Sequence, residues 1–202
     1  MSGETGPPDD GAFTVPTLAT TSDVWDSTKA FDLAEVSRAG GNNMRALERY
    51  AACASQADQE RELVFLSLYR AAQIKTELNF SAADVLDTYV RATETLPSRA
   101  EAAHGASRYC REHSMFDRGF ALAAGAIDLA TPAEGRFVEA WIYEWAMLDE
   151  YAVNAYWCGR YVESARACIE LLSRTSLPEG QRARVAANAN LSLEKLWERA
   201  RP

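Results

Sequence analysis

From Asp26 to Arg199 apolar residues recur at mixed three- and four-residue spacings within segments of helical length, and short breakers separate the segments. Nine helices are predicted from this pattern. The first runs from about Ser27 to Ala39 and is stopped by Gly40-Gly41-Asn42, a left-handed C-cap pattern, and the second covers about Met44 to Ser55. The third spans about Asp58 to Glu77, with Leu63, Leu66, Tyr69, Ile74 and Leu78 on one face and Asn79-Phe80 as its break. Ser81 is the expected N-cap of the fourth, which ends near Thr95 ahead of Pro97 and turns Val85, Leu86, Tyr89 and Ala92 inward. Ser98 and Glu101 form a capping-box pattern for the fifth, which extends to about Glu112. Asp117 opens the sixth, closed by Thr131-Pro132. The seventh, Phe137 to Cys158, gathers Trp141, Tyr143, Trp145, Tyr151, Tyr156 and Trp157 and stops at Gly159. An eighth from about Val162 to Ser173 and a ninth from about Gly180 to Arg199 flank the break at Leu177-Pro178-Glu179. No alternating β-branched run or Asn-Gly hairpin appears, so no sheet is expected.

Residues 1–24 lack this periodicity and carry Gly3, Gly6, Pro7, Pro8, Gly11 and Pro16. Such a composition buries too little apolar surface to offset the entropy of ordering, so it reads as a disordered tail ahead of a folded domain over 25–200.

The helices fall into pairs that share a spacing. Ala46, Tyr50 and Cys53 place a small residue, an aromatic and a small residue at intervals of four and three, and Val85, Tyr89 and Ala92 repeat it. Gly159, Ser164, Cys168 and Leu171 follow a looser version. Small residues let two helices approach closely while the aromatic wedges between neighbouring pairs. The predicted fold is all-α: a right-handed stack of about four tetratricopeptide-like helical hairpins plus a terminal capping helix. Stacking of this kind leaves a concave face lined by the first helix of each pair, which is the expected binding surface.

The order of motifs from about Gly41 to Leu196 resembles the helical region that lies C-terminal to the catalytic domain of bacterial family 2 glycosyltransferases. The residues that carry the resemblance are Ala46-Leu47-x-x-Tyr50, Asp84-Val85-Leu86-x-x-Tyr89-x-Arg91-Ala92 and Pro97-x-Arg99-Ala100-Glu101-Ala102, followed by Phe137-Val138-Glu139, Tyr143-x-Trp145 and Leu148-Asp149-Glu150. Gly159-Arg160-Tyr161-x-Glu163-Ser164 and Arg182-x-Arg184-Val185-x-x-Asn188 complete the series. The catalytic domain of such proteins carries an Asp-x-Asp metal motif, and no Asp-x-Asp occurs in this sequence. The resemblance therefore implies an accessory or scaffold module in a bacterium, with a glycosyltransferase or another glycan-synthesis protein as partner, and not transferase activity in this chain.

Composition narrows the function further. With 29 acidic and 21 basic residues the net charge is −8, which disfavours nucleic acid and anionic membrane surfaces as partners. No apolar run reaches the length of a transmembrane helix and no positively charged leader opens the chain, so a cytoplasmic protein is expected. Cys53, Cys110, Cys158 and Cys168 form no Cys-x-x-Cys pair and are expected to be reduced and packed. Glu101 and His104 have the spacing of a metal-binding helix face, but no second such pair exists, so no metal is assigned and His104 is taken as a surface or groove residue. No phosphate-cradling glycine loop or nucleophile elbow is present, so neither a cofactor nor catalytic residues are assigned.

The aromatic helix holds the candidate contacts. Trp141, Trp145, Leu148 and Ala152 share one stripe and are assigned to the core, whereas Tyr143, Tyr151 and Trp157 lie off it and are the groove candidates. Their ring faces also suit a pyranose, which makes glycan contact the alternative to a protein partner. Asp149 and Glu150 sit in this apolar helix and call for partners, for which Arg99, Arg182 and Arg184 are the candidates in a network that fixes hairpin register. Asn188, in mid-helix, is expected to bond a neighbouring helix or a backbone group.

Overall fold

The computed structural model describes residues 27–55 and 60–201. The predicted tail and the predicted helix start at Asp58 lie outside the described residues. Nine α-helices occur among those described: α1 (Ser27–Ala39), α2 (Asn43–Ala54), α3 (Arg61–Glu77), α4 (Ala82–Thr95), α5 (Glu101–Glu112), α6 (Phe116–Ala124), α7 (Met147–Trp157), α8 (Tyr161–Ser173) and α9 (Glu179–Ala200). Each helix packs on the next, which makes four hairpins, α1–α2, α3–α4, α5–α6 and α7–α8, closed by α9. The odd-numbered helices also touch one another directly, so they form the inner layer of the stack and the even-numbered ones the outer. No strand occurs among the described residues.

Local chemistry explains several of the helix ends. The Asn42 side chain accepts from the Arg45 amide at 3.1 Å and opens α2, and the Ser81 hydroxyl accepts from the Asp84 amide at 3.2 Å and opens α4. Gly41 and Gly159 turn the chain at φ +75° and +72°, which is why glycine follows α1 and α7. Inside, the repeated spacing becomes packing: Ala46, Tyr50 and Cys53 are fully buried and Val85, Tyr89 and Ala92 nearly so. They join Phe31, Phe65, Leu66 and Ile74 in a core that runs through the first three hairpins, while Leu148, Cys168, Leu171, Leu177 and Val185 form a second under α9.

Two elements depart from the pattern. The sixth helix ends at Ala124, well short of the expected Thr131-Pro132, and the seventh does not begin at Phe137. Residues between α6 and the seventh helix form an irregular strap in which Phe137 adopts φ +53°. Its side chains are held by α1 and α3, and continuing either helix through it would pull those contacts apart; tertiary contacts override helix propensity here. The seventh helix then opens on a π-helical turn, Ile142–Ala146, which leads into α7. A π turn takes up one residue more than an α turn, so it rotates everything before it relative to α7.

One close approach positions α6. A Cβ at Gly119 would stand 2.4 Å from Asn154 Oδ1, and Asn154 is fully buried, donating to Ser107 Oγ at 3.2 Å and to the Glu150 carbonyl at 2.9 Å. Gly119→Ala is expected to destabilise the fold by about 2 kcal/mol in urea denaturation, because overpacking outweighs the roughly 1 kcal/mol that alanine gains over glycine within a helix. An unchanged midpoint would show that this contact yields without cost.

Candidate functional site

Glu101 and Arg99 anchor the inner layer. Glu101 is fully buried and accepts from Arg99 Nη2 at 2.8 Å, from the Tyr143 hydroxyl at 2.8 Å and from the Glu139 amide at 3.3 Å. Arg99 also donates to Glu62 at 2.8 Å, and Glu62 accepts from the Arg136 amide at 2.8 Å. The expected Ser98–Glu101 capping box is not formed: α5 starts without a side-chain cap, and the Glu101 carboxylate turns inward to the buried guanidinium. A charge-assisted pair out of water outweighs one exposed cap bond.

This network ties the strap to the inner face. Arg136 reaches Asp32 of α1 at 3.3 Å, Phe137 packs on Phe31 with ring centroids 6.0 Å apart, and Glu139 accepts from the Tyr69 hydroxyl at 3.0 Å. Arg70 lies over the Phe137 ring at 5.7 Å. The chain thus lays a short piece of its own backbone across α1, α3 and α5.

Beyond the strap the inner face is open. Two adjoining cavities of about 290 and 500 Å³ share His104, Arg108 and Trp141, and together they form a groove from Arg38 and Glu77 to Arg184 and Asn188. Its arginines are neutralised from within. Arg111 grips Glu150 at 2.8 and 3.1 Å, Arg184 grips Asp149 at 2.8 and 3.1 Å, Arg108 donates to Glu112 at 2.8 Å, and Arg38 stands 3.5 Å from Glu77. Burial pushes the Glu150 carboxyl up, and Arg111 pulls it back. His104, only 6% exposed, meets the Trp141 ring edge-on at 5.2 Å. Burial, with Arg108 and Arg111 nearby, lowers its pKa to about 4, so the imidazole is neutral at physiological pH.

Of the residues singled out from the sequence, Asp149, Glu150, Arg184 and Asn188 line this groove. Asp149 takes Arg184 as its partner, but Glu150 takes Arg111, and the other two arginines do not join them. Arg99 is spent on Glu101 and Glu62, and Arg182 donates to the Leu172 and Arg174 carbonyls at 2.9 Å each, which pins the α8–α9 turn. The Asn188 carbonyl accepts from Ser192 Oγ at 2.9 Å, while its side chain faces the groove.

The aromatic residues exchange roles. Trp141, expected in the core, is 40% exposed in the groove beside half-buried Trp145. Tyr143 points to Glu101, Tyr151 packs against Phe120 with centroids 4.8 Å apart, and Trp157 is 61% exposed and stacked on Phe116 of the outer layer. The π turn is the cause. It rotates Trp141 out of register with Leu148 and Ala152, which stay buried.

A tetratricopeptide repeat protein from Parabacteroides merdae ATCC 43184 superposes with a TM-score of 0.58 over 90% of this chain and 68% of its own, at 17% identity. A Podosopora anserina protein with nearly identical TPR-like repeats, assigned as a kinesin light chain, gives 0.53 over 87% of this chain and 97% of its own, at 11% identity. The fold is tetratricopeptide-like. No family model and no curated protein matches the chain.

Within this tetratricopeptide-like array, Arg108, Arg111, Trp141 and Trp145 are among the groove residues that sequence reasoning did not select. Arg108 and Arg111 follow His104 by four and seven residues, one and two turns along the same helix face, a signal that was legible; Trp141 could be placed only with the π turn in view. Among the described residues no group of His, Cys, Asp and Glu is arranged to hold a metal ion, and no helix is long and apolar enough to cross a membrane.

Proposed function

We propose that this chain is a non-catalytic interaction module whose inner groove holds a segment of a protein partner. The observation that carries this reading is the strap: the inner face already accommodates polypeptide, with the Arg136 amide bonded to Glu62 and Phe137 seated between Phe31 and Arg70. The open groove continues directly from it, since Glu139 and Trp141 line its first cavity. Helical-repeat arrays offer such concave surfaces for extended binding. The motif order that resembles the helical region of bacterial glycosyltransferases makes a glycan-synthesis protein the candidate partner. A sugar ring would also fit the exposed indoles, and it is the rival that the experiment must separate.

Affinity capture from the native host with the full chain, with Trp141→Ala/Trp145→Ala and with Trp157→Ala tests the assignment. The partner protein is expected to be lost from the groove variant and retained by Trp157→Ala, because Trp157 stacks on Phe116 of α6 and lines neither groove cavity. Equal recovery on both variants, or recovery of glycan alone, would overturn it.

A further inference from the structure

Resting on that polypeptide-binding reading, we propose that the corner formed by His104, Trp141 and Trp145 is a subsite for one tyrosine side chain of the partner, with its ring against the indoles and its hydroxyl donating to the imidazole. Three observations converge there.

His104 is 6% exposed and lines both cavities, yet among the described residues neither of its ring nitrogens has a hydrogen-bond partner. The ring nitrogens are not among the buried atoms left without a partner; they reach the cavities, where a donor arriving with a ligand can bond one of them. The imidazole is neutral, so one nitrogen is an open acceptor. A hydroxyl or amide hydrogen satisfies it.

The indoles define the rest of the ligand. Trp141 and Trp145 stand with ring centroids 5.9 Å apart at 44°, an angled corner whose Trp141 wall is 40% exposed. A flat aromatic ring fills such a corner in tilted or edge-on contact. An aliphatic hydroxyl such as serine would leave it wet, and phenylalanine would leave His104 unsatisfied. Charge disfavours the modified residue: Arg111 and Arg184 hold both oxygens of Glu150 and Asp149 respectively, and Arg108 gives its Nε to Glu112, so an added phosphate or carboxylate would compete with carboxylates already in place. Tyrosine combines the ring with the donor and carries no charge.

The test is NMR of the ¹⁵N-labelled full chain during titration with N-acetyl-tyrosinamide, N-acetyl-phenylalaninamide and maltose. The tyrosine probe is expected to shift the Trp141 and Trp145 indole signals and the Gly105 amide saturably, and the phenylalanine probe to bind about five-fold more weakly, the effect of one hydrogen bond. His104→Phe is expected to bring the two probes to equal affinity, while Trp141→Ala abolishes both. The preference in the unmodified chain is decisive even where a variant fails to fold. Equal affinity of the two probes there, no saturable shift, or maltose moving the same signals as strongly would overturn the subsite. If capture still depends on Trp141 and Trp145, the tyrosine assignment alone falls; if capture is indifferent to both indoles, the polypeptide reading falls with it.

Discussion

Replacing Glu101 with Ala is expected to lower the stability of the fold by about 4 kcal/mol. The reason is what remains rather than what is removed. Arg99 is only 3% exposed, and without Glu101 its guanidinium keeps Glu62 on one side and a lone carbonyl, that of Arg136, on the other. The Tyr143 hydroxyl and the Glu139 amide lose their acceptor at the same time. For a domain of this size the shift corresponds to a melting temperature lower by about 10 °C. Arg99→Met combined with Glu101→Leu is expected to restore most of the loss, because a buried ion pair replaced by apolar groups of similar volume is often neutral. Thermal and urea denaturation of the two variants decides the matter. A double variant no more stable than Glu101→Ala would mean that the pair itself, rather than the stranded charge, carries the stability.

The second large effect is in pH. His104 has a folded-state pKa lowered from 6.5 to about 4, so the folded protein binds a proton on this ring less readily than the unfolded chain does. Its neutral form therefore contributes stability that is complete above pH 6.5 and is lost as the pH falls through about 4. At about 1.4 kcal/mol per unit the loss is on the order of 3 kcal/mol. Arg108 and Arg111 on the same helix deepen the shift and Glu101 opposes it; Glu139, Asp149 and Glu150 face the same cavities from the strap and α7. Because those carboxylates titrate too, the readout is the difference between the native chain and His104→Phe. That difference is expected to be flat from pH 8 to about 6.5 and to move by about 3 kcal/mol in favour of the variant by about pH 4. Parallel profiles across the range would show that the imidazole is hydrated and titrates as in a free peptide.

The two effects concern neighbouring residues of α5, and they define how that helix works. Its first turn uses Glu101 to hold the strap, and its next presents His104 to the groove. The strap covers α1 and α3 at Phe31, Asp32 and Glu62, and it leaves their C-terminal ends at Arg38 and Glu77, together with α5, the π turn, α7 and α9, as the open wall. The open groove is short and charge-balanced, with an aromatic corner at its centre.

Much of this architecture was legible before the structure. α1 spans the predicted residues, and α2, α4, α5, α8 and α9 begin within about three of the predicted starts, because Asn42, Ser81, Gly41 and Gly159 act within one turn of themselves. The small–aromatic–small spacing put Tyr50 and Tyr89 in the core for the same reason: hairpin packing repeats with the sequence. Asp149, Glu150, Arg184 and Asn188 reached the groove because they sit beyond the π turn, where ordinary helical periodicity holds.

Local pattern alone, then, determined the helix count, the pairing and the buried faces, since caps, breakers and amphipathic spacing act between residues a few positions apart. Only the tertiary structure decided the strap, the inward turn of Glu101 and the exposure of Trp141. Each of these depends on partners far along the chain, such as Asp32 for Arg136, or on one extra residue in a single turn, and periodicity read along the sequence registers neither.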